Sequence, residues 1–273
     1  MMGYHTPTGG LAPQTTPLRR RARFSESYAF IPAECFSDIV TSYLPHWHKS
    51  RAWIMARPMS GFAETFAQYI VEVAPNGGSP APEPDPNAQA GIFVTQGTLT
   101  IIYSGQRHQI GVGGYVYIPP EAQWQVENTT TMPVTFHWIR KRYLPVSGIA
   151  KPEFFTTSDA QTPAQDMPDC AGLWATTRFV DPDDMRHDMH VNIVSFQQGG
   201  CIPFEETHVM EHGLYVLQGR ARYLLNQDWI DVEPGDFMWL RAFCPQACVA
   251  TSTEPFRYLL YKDVNRHPAL ALA

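Results

Sequence analysis

The stretch Gly200-Cys-Ile-Pro-Phe-Glu-Glu206-Thr-His208-Val-Met-Glu-His212-Gly-Leu-Tyr-Val-Leu-Gln-Gly219 decides how the chain reads. Two glycines bracket it, and three side chains able to bind a metal lie between them. Glu206 and His208 are two residues apart, so on an extended strand both point to one face. His212 follows a possible turn. Farther on, Pro234-Gly235 opens a new apolar run, and Gln246 arrives from a distant strand. Together the four offer one carboxylate, two imidazoles and one amide oxygen. That mixed set suits Mn²⁺, Fe²⁺ or Zn²⁺, and the lack of a thiolate together with the neutral oxygen of Gln246 favours Mn²⁺. Either histidine alone would read as an ordinary core or surface residue. The neighbouring Glu205 and Glu211 have the opposite strand parity and read as solvent-facing.

Outward from this stretch the chain repeats itself. Shifted by 122 residues, Gly91–Trp124 falls on Gly213–Gln246 without a gap. Turn glycines coincide (Gly97 with Gly219, Gly113 with Gly235), and so do apolar positions such as Tyr117 with Trp239 and Ile118 with Leu240. Short runs rich in Val, Ile, Tyr and Phe recur between glycines and prolines: Tyr69–Val73, Gly91–Val94, Gly114–Ile118, Val191–Phe196, Leu214–Leu217, Asp236–Leu240 and Arg257–Tyr261. Such runs predict an all-β chain of two barrels related by an internal repeat. The expected organisation is an N-terminal arm over 1–60, a first barrel over 61–144, a linker and packing arm over 145–186, and a second barrel over 187–273. The repeat also supplies a control. Glu206, His208, His212 and Gln246 correspond to Pro84, Pro86, Ala90 and Trp124, none of which binds a metal, so the site belongs to the second barrel alone.

Composition narrows the function. The 273 residues carry a formal net charge of −6 and no long basic stripe, which excludes a nucleic-acid partner. Apolar runs are strand-sized, so no membrane-spanning segment is expected. Five cysteines, Cys35, Cys170, Cys201, Cys244 and Cys248, form no even framework, and a reducing, cytoplasmic setting follows. Before Glu26 the chain has no acidic residue and clusters Arg19, Arg20, Arg21 and Arg23. Transit peptides share that composition, but no apolar core or amphipathic period accompanies it, so an N-terminal arm is expected.

The quoted stretch resembles the first motif of the cupin superfamily: Gly, five residues, His-x-His, three or four residues, Glu, six residues, Gly. The spacing fits, with Glu206 where the first His stands and His212 where the Glu stands. Pro234-Gly235 matches the opening of the second motif, and Gln246 takes the place of its final His. Most of the chain further resembles the (S)-ureidoglycine aminohydrolase family of double-domain (jelly-roll) cupins. The likeness runs from Gly3-Tyr4 and Thr8-Gly9-Gly10 through Lys141-Arg-Tyr-Leu-Pro-Val146, Glu206-Thr-His-Val-Met-Glu-His-Gly213 and Asn226-Gln-Asp-Trp229 to Tyr258-Leu-Leu-Tyr-Lys-Asp-Val-Asn-Arg266. It implies Mn²⁺ held by Glu206, His208, His212 and Gln246. It also implies hydrolysis of (S)-ureidoglycine to (S)-ureidoglycolate and ammonia in allantoin (purine) breakdown. Tyr223, Tyr258 and Lys262 are placed by the same resemblance as catalytic and substrate-binding residues. Alternation puts Tyr258, Leu260 and Lys262 on one strand face. A homo-oligomer is expected by analogy with other cupins. Two rivals remain: an Fe²⁺ cupin dioxygenase using Glu206, His208 and His212, and a non-catalytic ligand-binding double cupin.

Overall fold

The computed structural model describes residues 15, 21–36, 41–263 and 266. Among them strands dominate, and the one helical element is the short turn Ala33–Cys35. The expected strand runs all fall within strands, with Asp236 one residue outside. The repeat is equally plain in three dimensions. Leu99–Tyr103 pairs with Gln106–Ile110 and Trp124–Glu127, just as Ala221–Leu225 pairs with Asp228–Val232 and Gln246–Ala250. Gly91 faces Tyr117 and Ile139, and Gly213 faces Trp239 and Tyr261, each at the matched position.

Alternation along these strands sorts side chains into three cores. One fills the first barrel, with Val71, Ile92, Trp124, Phe136 and Trp138. A second fills the second barrel, with Phe196, Leu214, Tyr223, Met238 and Tyr258. The third lies between the barrels, where Phe66, Phe93, Tyr115 and Ile139 meet Val191, Trp239, Leu259 and Tyr261. Thus Tyr258 points into its barrel while Leu259 and Tyr261 point at the neighbouring one. The strands come close here. A methyl group on Gly213 would lie 2.7 Å from the Phe66 ring and from Gln68 Oε1, and one on Gly91 would lie 3.0 Å from Val191. Phe66 stacks on Tyr261 with centroids 4.0 Å apart.

Three readings of the sequence change. The arm is not separate from the barrels. Tyr28–Ile31 pairs with Phe237–Leu240 in the second barrel's sheet, and His48–Ala56 pairs with Phe66–Ser79 in the first. Arg21 secures the former by reaching the buried Asp236 at 2.7 Å. The segment 145–186 also holds strands: Phe155–Ser158 extends the first barrel, and Trp174–Arg178 extends the second beside Met189–Phe196. Both are short and rich in Thr, and their sequence carries little apolar alternation; Gln165–Asp166 pairs on the far side of Trp174–Arg178. Arg19 and Arg20 of the basic cluster, and Gly3-Tyr4 and Thr8-Gly9-Gly10, lie outside the described residues.

The third change concerns Glu211, which is buried rather than solvent-facing. Strand parity fails here because 203–211 is a loop. Its carboxylate accepts hydrogen bonds from Glu64 N at 3.2 Å, Thr65 N at 2.5 Å, the Thr65 hydroxyl, and Trp239 Nε1 at 3.0 Å. Two of those donors are backbone amides of the first barrel. Replacing Glu211 with Ala strands these donors in the interface, and hydrogen bonds to charged groups contribute roughly 1.5–3 kcal/mol each. Glu211→Ala is therefore expected to lower unfolding free energy by about 3 kcal/mol or more in denaturant titration. Exposed Glu205→Ala should stay within about 0.5 kcal/mol.

Candidate active site

The second barrel contains a cavity of about 380 Å³ bordered by Glu206, His208, His212, Gln246, Tyr258 and Lys262. Backbone pairing assembles it. Glu206 and Gln246 form an isolated antiparallel bridge, with Glu206 N to Gln246 O at 3.0 Å and Gln246 N to Glu206 O at 2.9 Å. His212 faces Lys262 across adjacent strands, and Val216 faces Tyr258. The loop that carries Glu206 and His208 is also held by Phe243 N donating to His208 O at 2.6 Å.

Four donors thus line one cavity. His208 Nε2 lies 3.3 Å from Glu206 Oε1, and the His208 and His212 rings are 4.9 Å apart. His212 Nδ1 is 2.9 Å from the Glu211 carbonyl, which can only accept. Nδ1 therefore carries the proton, and the Nε2 lone pair stays free. Ligating histidines are commonly held in this way. Burial depresses the His212 pKa to about 3, with His208 adding to the effect, so the ring is neutral at neutral pH. The Tyr223 hydroxyl donates to Gln246 Oε1 at 2.8 Å and orients that amide. Among the described residues no three His, Cys, Asp or Glu side chains are gathered into a ready cage. The donors instead ring a cavity, and their mixed nitrogen and oxygen chemistry fits a divalent cation.

Lys262 is half-buried. Desolvation lowers its pKa, and the nearby Arg178 lowers it further. Burial raises the Tyr258 phenol well above its ordinary value, so it stays protonated and able to donate. Tyr223 is fully buried behind Gln246 and touches the cavity through that residue, while its ring meets Tyr258 edge-on at 6.0 Å. Cys244 and Cys248, which flank Gln246, are both buried, and burial pushes both thiols up.

Arg178 and Asn192 also line the cavity, and sequence reasoning passed over both. Arg178 was hidden in a segment that reads as linker. Asn192 is the one strongly polar residue in the run Val191–Val194, and that was the available signal. The first barrel has no counterpart to the cavity's donors. Its Arg140, at the position of Lys262, is bound by Glu83 and by the Tyr69 hydroxyl at 3.1 Å, and Trp124 packs on Trp138 where Gln246 would stand. A larger cleft of about 460 Å³ between the barrels is bordered by Arg257 and Asp159, which pair with each other at 3.0 Å. None of the donor residues reaches it.

The Cupin domain family matches residues 69–140 and 192–261. The chain belongs to the cupin family. It is 30% identical to a protein of Oryza sativa subsp. japonica described as a probable (S)-ureidoglycine aminohydrolase, over 94% of this chain and 79% of the relative. It is 29% identical to the (S)-ureidoglycine aminohydrolase of Escherichia coli K12, over 84% of this chain and 86% of the relative. Among solved structures it is similar to a Pseudomonas aeruginosa protein described as glyoxylate induced, with 59% identity, full coverage of both chains and a TM-score of 0.91.

Elemental analysis of the purified cupin should find one divalent ion per chain, because only the second barrel offers donors. His208→Ala should reduce that content to background while the protein stays folded by circular dichroism. Two ions per chain would contradict the assignment.

Proposed function

We propose that this cupin is a manganese-dependent (S)-ureidoglycine aminohydrolase of allantoin breakdown. It takes (S)-ureidoglycine and water to (S)-ureidoglycolate and ammonia. One observation carries the reading. A half-buried lysine and a protonated phenol open on the same cavity as a Glu, His, His and Gln donor set, in a chain similar along most of its length to enzymes of that name. Glu206, His208, His212 and Gln246 would hold Mn²⁺. When bound, Mn²⁺ polarises the substrate as a Lewis acid and gives it a fixed point of attachment.

The rest of the chemistry falls to side chains. The carbon–nitrogen bond to the amine breaks, and Lys262 Nζ supplies the proton with which ammonia leaves. Water forms the new carbon–oxygen bond, and its surplus proton returns to Lys262, so the lysine ends as it began. A depressed lysine pKa suits both transfers near neutrality. Tyr258 donates a hydrogen bond within the cavity, and Tyr223 holds Gln246. The apolar wall of Leu214, Leu260 and Trp174 limits the water that competes for these donors. Described residues contain no helix long and apolar enough to cross a membrane, and all five cysteines are free. A cytoplasmic setting agrees with the free thiols. Exposed Phe24, Leu144 and Met185 agree with a homo-oligomer.

Ammonia release from (S)-ureidoglycine by metal-stripped protein reloaded with Mn²⁺ tests the proposal. Turnover should return with Mn²⁺, although Zn²⁺ can bind as tightly or more so. Oxygen consumption with an aromatic or thiol substrate, and no ammonia release, would favour the Fe²⁺ dioxygenase instead. Lys262→Met should lower kcat by roughly 10²–10⁴-fold, the scale of lost acid–base catalysis, with metal content unchanged. An unchanged kcat would remove Lys262 from the chemistry.

A further inference from the structure

Arg178 and Asn192 stand side by side on adjacent strands, and Asn192 in turn faces Leu260. Lys262 is two residues beyond Leu260 on the same face, about 7 Å along the strand. One end of the cavity therefore carries two cations and an amide, whereas the one carboxylate among the described lining residues, Glu206, lies against His208. Among the described residues neither cation makes an ion pair within 4.0 Å, although Glu206 and Asp263 lie near enough to act on Lys262. Arg178 is steadied by Gln165 Oε1 at 2.8 Å and by the Met167 sulfur at 3.9 Å, and it makes no ion pair among the described residues. Guanidinium remains charged at any physiological pH, and its planar fork matches a carboxylate.

Asn192 is 2% exposed, and its Oδ1 is buried without a hydrogen-bond partner. Unsatisfied buried amides cost stability and call for an explanation, which a ligand can supply. A primary amide offers both a donor and an acceptor, as a ureido group does, so the two can pair reciprocally.

We infer that Arg178 and Asn192 read the substrate: the Arg178 guanidinium binds the carboxylate of an α-ureido acid, and the Asn192 amide pairs with its ureido group. The inference rests on the hydrolase reading and divides the labour within that site. Lys262 is left free for proton transfer because Arg178 takes the carboxylate. The site then selects acids over their amides or esters.

N-carbamoylglycine tests this directly. It has the carboxylate and the ureido group but lacks the amine that leaves, so it binds without turning over. Its neutral primary amide is the comparator. Calorimetry on the full-length, manganese-loaded protein should show the acid binding more tightly than the amide. Arg178→Met should weaken the acid by roughly 10–100-fold, the scale of a lost charge-assisted hydrogen bond, and the amide by less than about threefold. Arg178→Lys should recover part of the loss, since a charge remains without the fork. Asn192→Leu should weaken both ligands alike. Equal losses of acid and amide in Arg178→Met, no loss of either, or no acid binding by the unmodified protein would overturn the inference. Ammonia release separates it from the broader reading. Arg178-dependent acid binding without turnover of ureidoglycine would sink the hydrolase and leave the anchor. Turnover with acid binding indifferent to Arg178→Met would sink the anchor alone.

Discussion

The Glu211 carboxylate is the contact on which the arrangement depends. It sits between the two barrels, takes backbone amides from Glu64 and Thr65 on one side and the Trp239 indole on the other, and immediately precedes His212. Its own amide donates to Asp263 at 3.1 Å, and its carbonyl holds the His212 ring. One residue thus ties the first barrel to the orientation of an imidazole in the second. Burying a carboxylate is costly unless its oxygens are satisfied, and here each accepts more than one donor. A second buried contact supports the same interface: Lys141 and the Leu144 amide, from the first barrel, each reach Asp188 at 2.8 Å.

This gives the first barrel a role that needs no site of its own. Its interior is filled by Trp124, Trp138 and Phe136 and closed by the Glu83–Arg140 pair. The outer face of its sheet supplies Phe66, which packs against the bare backbone of Gly213 next to His212. The two halves share strands and register but divide their uses. One half is a packed mould, and the other keeps its cavity open. Both halves contain buried polar atoms without a partner, Gln68, His137 and Trp138 in the first and His190 and Asn192 in the second, and of these Asn192 borders the cavity.

Much of this was legible in the sequence because it depends on local period. Strand alternation placed Tyr258 and Lys262 on one face and Leu259 and Tyr261 on the other. The repeat matched strands that the structure pairs identically, and the spacing of Glu206, His208, His212 and Gln246 anticipated their meeting at one cavity. What escaped depends on contacts distant in the chain. Glu211 lies in a loop where parity has no meaning, and its partners come from the other barrel. Arg178 ends a short strand without an apolar pattern. Tyr28–Ile31 is short, and only its pairing with Phe237–Leu240 marks it as part of the far sheet. Tyr223, placed by resemblance among the catalytic and substrate-binding residues, is fully buried with its hydroxyl on Gln246 Oε1, a contact that no local pattern announces.

In the proposed enzyme one barrel holds the reactive centre and the other holds it in shape. Anomalous diffraction at the manganese edge, on crystals of the manganese-loaded cupin, tests it most directly. A single peak per chain is expected, in the second barrel among Glu206, His208, His212 and Gln246. A peak in the first barrel or in the cleft beside Arg257, or no peak in crystals whose dissolved protein still releases ammonia, would contradict it.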